Sequence, residues 1–178
     1  METTKMADQK DFALSSYPMG PSVRRWLGVS EDQYTGRQKD KVTNEEKILF
    51  TKIVSRDLGG RPFKDEQEFL DVSAELFSMD VPLACLKLFD YYRDRWLPTD
   101  FHREQLEAVS SLAAGELTRA WHASVAAHKH NPDEPAPYVN ISRIFMNWGE
   151  HEQAKEWCHW GLKKFPDHRP LWQLVSSL

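Results

Sequence analysis

Cysteine is scarce in this chain: Cys85 and Cys158 are the only two among 178 residues, and each falls in an apolar helical stretch. Thiols so placed read as small buried hydrophobes in a reducing compartment, and a disulfide framework is not expected. Long apolar runs are missing as well. Nothing approaches the roughly 20 residues that cross a bilayer, and the opening METTKMADQKDF has mixed charge without the apolar core of a signal peptide. A cytoplasmic protein without membrane insertion is expected. Positive charge is thin: no basic run exceeds two residues, the formal net charge is −4 and the pI is near 6.0. Phosphate backbones and anionic membranes need clustered cations, so nucleic acid is not an expected partner.

The signatures of catalysis and metal binding are missing too. There is no GxSxG, no phosphate-binding glycine loop, no HExxH and no paired CxxC. The seven histidines do not gather at ligand spacing. Cys158 and His159 are adjacent, so on one helix they project about 100° apart. His128 and His130 suit a helix C-terminus, where cations favour the negative end of the dipole. No catalytic residue, cofactor or metal is expected.

What the chain has is helical periodicity with punctuation. Residues 1 to 40 read as a flexible or extended N-terminal arm, because Tyr17-Pro18-Met19-Gly20-Pro21 breaks regular structure and Gly36 to Asp40 is polar without period. Within the arm, Val23 to Gly28 is long enough for one helical turn. From residue 41 to the end a single helical domain is expected. Thr43 and Glu46 form a capping box, and Gly59-Gly60 closes the helix that follows. A second helix spans about 65 to 78. Asp80 is placed to cap a third, with Pro82 in its first turn. Asp100 caps a fourth that ends at Gly115, and further helices run over about 116 to 130, 136 to 147, 150 to 164 and 168 to 177. No stretch reads as a strand, so the fold class is all-α.

A recurrence at 34 residues overlies these helices. Pro98, Pro132 and Pro166 are equally spaced, and Ala74, Ala108, Ser142 and Ser176 form a ladder of small residues in the same frame. Gly115 pairs with Gly149, Ala120 with Ala154, and Ala127 with Gly161. Small side chains let helices approach closely, and a proline stops one helix before the next begins. A fixed period of this length marks a stacked array of helical hairpins.

The chain resembles the tetratricopeptide repeat family, best over residues 100 to 178, on Tyr138, Ile141-Ser142, Phe145, Gly149, Ala154, Gly161 and Pro166. Cys158 departs from the pattern, standing where the family carries an aromatic. The resemblance implies a superhelix of about three repeats with capping helices. It also implies a concave groove lined by Glu68, Asp71 and Glu75, then His102, Gln105, Val109 and Leu112, then Val139, Arg143, Met146 and Asn147. The family's clamp for a terminal carboxylate is not matched, since Asp71, Glu75, Gln105, Val109, Val139 and Arg143 hold its positions.

The implied function is a non-catalytic adaptor or scaffold that binds a partner protein or peptide segment, of basic and apolar character, in that groove. The alternative is a small repeat-type chaperone for a secretion or assembly subunit. Arg24-Arg25-Trp26-Leu27 has the same basic and apolar character. The arm could therefore dock on the array, in its own chain or in a neighbouring copy, or Trp26 could simply pack on the first helix.

Overall fold

The structure, a computed structural model, describes residues 14–36, 42–96 and 100–178, with the side chains of Asp57 and residues 93–96 left aside. Pro98 and the polar stretch from Arg37 onward lie outside the described residues. Among the described residues the chain is all-helical: α1 Pro21–Leu27, α2 Asn44–Asp57, α3 Glu66–Ser78, α4 Pro82–Trp96, α5 Phe101–Ala113, α6 Leu117–His130, α7 Ala136–Trp148, α8 His151–Lys164 and α9 Arg169–Ser177, plus 3-10 turns at Leu14–Ser16 and Leu58–Gly60. The chain divides between Leu88 and Phe89, within α4, into two compact units. The single helical domain expected from residue 41 onward is therefore partitioned.

In the first unit, residues 14–36 are folded rather than extended. The helix α1 packs on α3, with Val23, Trp26 and Leu27 buried. The local rule that marked this stretch as irregular was sound for the Pro-Met-Gly-Pro corner, but it says nothing about apolar surface offered from α3. Trp26 lies flat on Phe63, 5.2 Å between ring centroids, and Phe63 meets Phe69 edge-on at 5.4 Å. The α2 start is the expected capping box: the Thr43 side chain accepts from the Glu46 amide at 3.2 Å, and the Thr43 amide donates to Glu46 at 2.9 Å. Asp80 departs from expectation. It has φ 57 and follows α3, where its amide donates to Phe77 and that of Val81 to Leu76. It thus closes α3 in a left-handed cap of the kind usually given to glycine, and its carboxylate pairs with Lys47 of α2.

Tyr17, also in the N-terminal stretch, stacks on Phe50 of α2 at 4.4 Å and is buried. Burial first, then the charges of Glu46 and Asp80, push its phenol up to about 12. A folded pKa above the unfolded value of about 10 means that this group's stabilisation is intact below pH 10 and is lost between pH 10 and 12. Between pH 9 and pH 11 the wild type should lose about 1 kcal/mol more than Tyr17→Phe, read as the difference in urea-unfolding free energy. Parallel losses in the two proteins would show that the phenol is already solvated.

In the second unit, α5 packs on α6, α7 on both α5 and α6, α8 on α7, and α9 on both α7 and α8. Asp100 caps α5 by accepting from the Arg103 amide at 3.0 Å, as expected. The turn between α7 and α8 closes on Gly149 at φ 78, a left-handed conformation that a Cβ would strain. Ala108, Ala120, Ala127, Ser142 and Ala154 are fully buried at the helix contacts. The Ser142 hydroxyl is satisfied one turn back by donating to the Tyr138 carbonyl at 2.8 Å, so a polar small residue costs little there.

Candidate functional site

The groove positions expected on α3 are largely engaged by their own unit. The Glu75 carboxylate accepts from the backbone amides of Ser22 and Val23 at 2.9 and 2.8 Å. It therefore caps the N-terminus of α1 across more than 50 residues of sequence and neutralises the free amides and positive dipole end there. Glu68 completes the start of α3: its amide donates to Asp65 at 2.8 Å and its carboxylate accepts from the Lys64 amide at 2.7 Å. Asp71 is exposed and accepts from Gln67 at 2.8 Å. Glu75 is thus a structural anchor. The docking tetrad is likewise committed: Trp26 and Leu27 are buried, and Arg24 lies 4.2 Å over the Tyr34 ring while donating to Glu31 at 2.7 Å. Arg25 alone of the four is exposed.

In the second unit His102 is exposed on α5, and Gln105, Val109 and Leu112 are half-buried. On α7 the positions diverge. Val139 is buried in a cluster with Tyr138, Cys158, Leu162 and Leu171, so it is core rather than groove. Arg143 and Asn147 are exposed and Met146 half-buried. Asn147 donates to the Arg143 carbonyl at 2.8 Å.

Sequence reasoning missed a charged cavity of about 730 Å3, bounded by Phe89 and Asp90 of α4, Arg103, Glu104 and Glu107 of α5, and the α6 face from Thr118 to Ala126. Glu104 and Glu107 stand where large apolar residues are expected in the repeat frame, and this is where they go. Arg119 bridges Asp90 and Glu107, both at 2.8 Å. That lattice raises the pKa of the Arg119 guanidinium despite its burial. Glu104 differs from Glu107. It is only 7% exposed, His130 approaches its Oε1 at 3.7 Å, and among the described residues its Oε2 has no hydrogen-bond partner. Burial pushes its carboxyl above the ordinary range, against the opposing pull of His130 and Arg103. The sequence did carry a signal: two acids three residues apart on the α5 stripe, with Arg119 and His122 on the next helix.

A raised carboxyl titrates with a definite sign. The stabilisation linked to Glu104 is complete below the unfolded carboxylate range and is lost as pH rises through its folded pKa. At neutral pH its ionised form is therefore a burden. Glu104→Gln should stabilise the second unit at pH 7 by about 1 kcal/mol, the low end for an unsatisfied buried group, and the gain should vanish near pH 4. Urea titrations of both proteins at the two pH values measure this; a loss of stability at pH 7 would mean that the His130 and Arg103 attractions outweigh desolvation.

Three tryptophans of the second unit are exposed: Trp148 at 41%, Trp160 at 48% and Trp172 at 52%. They are held by neighbours. Trp148 contacts Trp121 and Phe145 at 5.9 and 5.7 Å, Trp160 contacts Trp157 at 5.1 Å, and the Trp172 indole donates to the Pro166 carbonyl at 2.7 Å. Among the described residues no three His, Cys, Asp or Glu side chains converge on a metal position, and no helix is long and apolar enough to cross a membrane. Burial raises the Cys158 thiol pKa, the opposite of what an activated nucleophile needs. Compared with protein-family models, curated proteins and solved structures, the chain has no significant match.

Proposed function

We propose that this protein is a non-catalytic interaction module, an adaptor or scaffold whose second unit is a tetratricopeptide-like array and binds a segment of another protein. The observation that carries the reading is the contact order of that unit. Each hairpin-opening helix after the first touches both helices of the preceding hairpin, α7 on α5 and α6, α9 on α7 and α8. This is how a stacked array grows, and a closed bundle has no need of it. Of the small residues recurring at 34-residue spacing, Ala108 and Ser142, Ala120 and Ala154, and Ala127 and Gly161 are buried, whereas Ser176 is exposed. The exposed residues of α7 are Arg143, Asn147 and Trp148, and the arginine and the tryptophan are of the types enriched among residues that dominate binding energy at protein interfaces.

The test is affinity capture with mass spectrometry, comparing wild type with Arg143→Glu and Trp148→Ala. Arg143 is exposed, so Arg143→Glu should leave circular dichroism and thermal unfolding near wild type, whereas Trp148→Ala gives up its contacts with Trp121 and Phe145 and should lower the unfolding temperature while keeping the helical circular dichroism. At least one captured protein should fall tenfold or more in each variant. If every captured protein is retained at wild-type level by both, α7 is not the binding face. Glu75 is unsuitable for this purpose, because its reversal releases α1. A second reading, a dedicated chaperone for one assembly subunit, is favoured by the exposed tryptophans. It requires one client to co-purify in stoichiometric amount and to precipitate without this protein.

A further inference from the structure

We propose that the cavity between α4, α5 and α6 is a binding site for an organic cation with an apolar body, a primary ammonium or guanidinium on a short methylene chain, whose charged head is received by Glu104. The inference is independent of the α7 reading, since none of its residues lies on that helix. Its first support is the state of the cavity's charges. Arg119 is committed to Asp90 and Glu107 at 2.8 Å each, and Arg103 reaches Asp100 at 3.7 Å. Three carboxylates, Asp90, Glu104 and Glu107, thus line the space with two guanidinium groups, Arg103 and Arg119. Among the described residues, Glu104 has only His130 near its Oε1, and its Oε2 has no hydrogen-bond partner although its side chain is more than nine-tenths buried. A buried carboxylate oxygen left without a donor costs free energy that a fitting guest recovers.

The second support is shape and polarity. About 730 Å3 is far more than one water needs and lies within the range of small-molecule sites. Phe89, Ala123 and Ala126 give the cavity apolar wall, against which methylenes can lie while the head group reaches the acid. A ligand anion is the wrong partner, because it would stand against the unpartnered carboxylate. A neutral donor would satisfy the hydrogen bond but leave the charge. The cation could be a free amine or a Lys or Arg side chain of a bound segment, and both present the same head.

The test uses the full chain and hexylamine, with hexanol and hexanoate as isosteric controls, followed by amide chemical shifts of residues 103–107 and 118–126. Hexylamine should move these resonances saturably, with affinity at least tenfold above either control. Glu104→Gln, which keeps the shape, should lose at least tenfold, whereas Glu150→Gln on an exposed turn should change nothing. Equal binding of hexanol would overturn the proposal and leave a site that needs only a donor such as water. So would retention of hexylamine affinity within twofold in Glu104→Gln. A tripeptide, acetyl-Leu-Lys-Leu-amide, separates the two sources. Affinity tenfold above hexylamine, lost on acetylating its lysine, assigns the site to a partner's side chain, and affinity no better than hexylamine assigns it to free amines.

Discussion

Replacing Trp26 by alanine is expected to cost the first unit about 3 to 4 kcal/mol, within the range for truncating a buried large aromatic. The indole is 6% exposed, lies parallel to Phe63 at an interplanar angle of 13°, and donates from its ring nitrogen to the Arg61 carbonyl at 3.0 Å. The Arg61 guanidinium returns a hydrogen bond to the Trp26 carbonyl at 3.2 Å. Truncation therefore opens a cavity against Phe63, leaves the Arg61 carbonyl to water, and removes the largest anchor of a helix only seven residues long. A helix of that length has no independent stability. Cleavage by trypsin at Arg24 or Arg25 should consequently accelerate in the variant, and Trp26→Phe should recover more than half of the lost stability by keeping the stack. Urea unfolding followed on Trp26→Ala decides it: a loss below 1 kcal/mol, with no change in cleavage, would mean that α1 contributes no structure to this unit.

That expectation could not be written from the sequence, and the reason is physical. Capping signals are local, so Thr43 with Glu46 and Asp100 with the Arg103 amide were legible within one turn of chain. The small residues at 34-residue spacing were legible because close helix approach penalises any bulk there. What periodicity reports is the face of a helix that is apolar, without saying which distant group meets its polar positions. Glu75 looks like a solvated acid on α3 until the N-terminus of α1 is brought to it. Asp80 looks like a helix start because aspartate so often is one, yet its backbone serves the end of the previous helix. Glu104 and Glu107 violate the apolar stripe, and such violations mark the places where packing gives way to another demand. The expected groove mixed these categories, since Val139 is core, Glu75 an anchor and Arg143 free surface.

The second unit makes its own demand at Gly161, where valine is expected to cost about 3 kcal/mol, the upper end for overpacking a buried contact. The glycine sits within α8, where its conformational freedom is a liability of about 1 kcal/mol relative to alanine. Space explains its presence. A Cβ at this position would lie 2.6 Å from a methyl of Leu171 on α9, and 3.1 and 3.3 Å from Cβ and Cγ of Tyr138 on α7. Leu171 is fully buried, and Tyr138 is wedged between His128 and Phe165, so neither retreats freely. Alanine already places that Cβ against Leu171 and Tyr138, so the helix propensity it gains should offset only part of the overpacking. Valine adds two more carbons and recovers little propensity. Since α9 closes the unit, its strain should appear first as faster amide exchange over residues 169–178 and as a shift in the emission of Trp172. A valine variant that unfolds within 1 kcal/mol of wild type, with α9 still protected, would show that α7, α8 and α9 do not meet at this point, and would remove the main support for a stacked array.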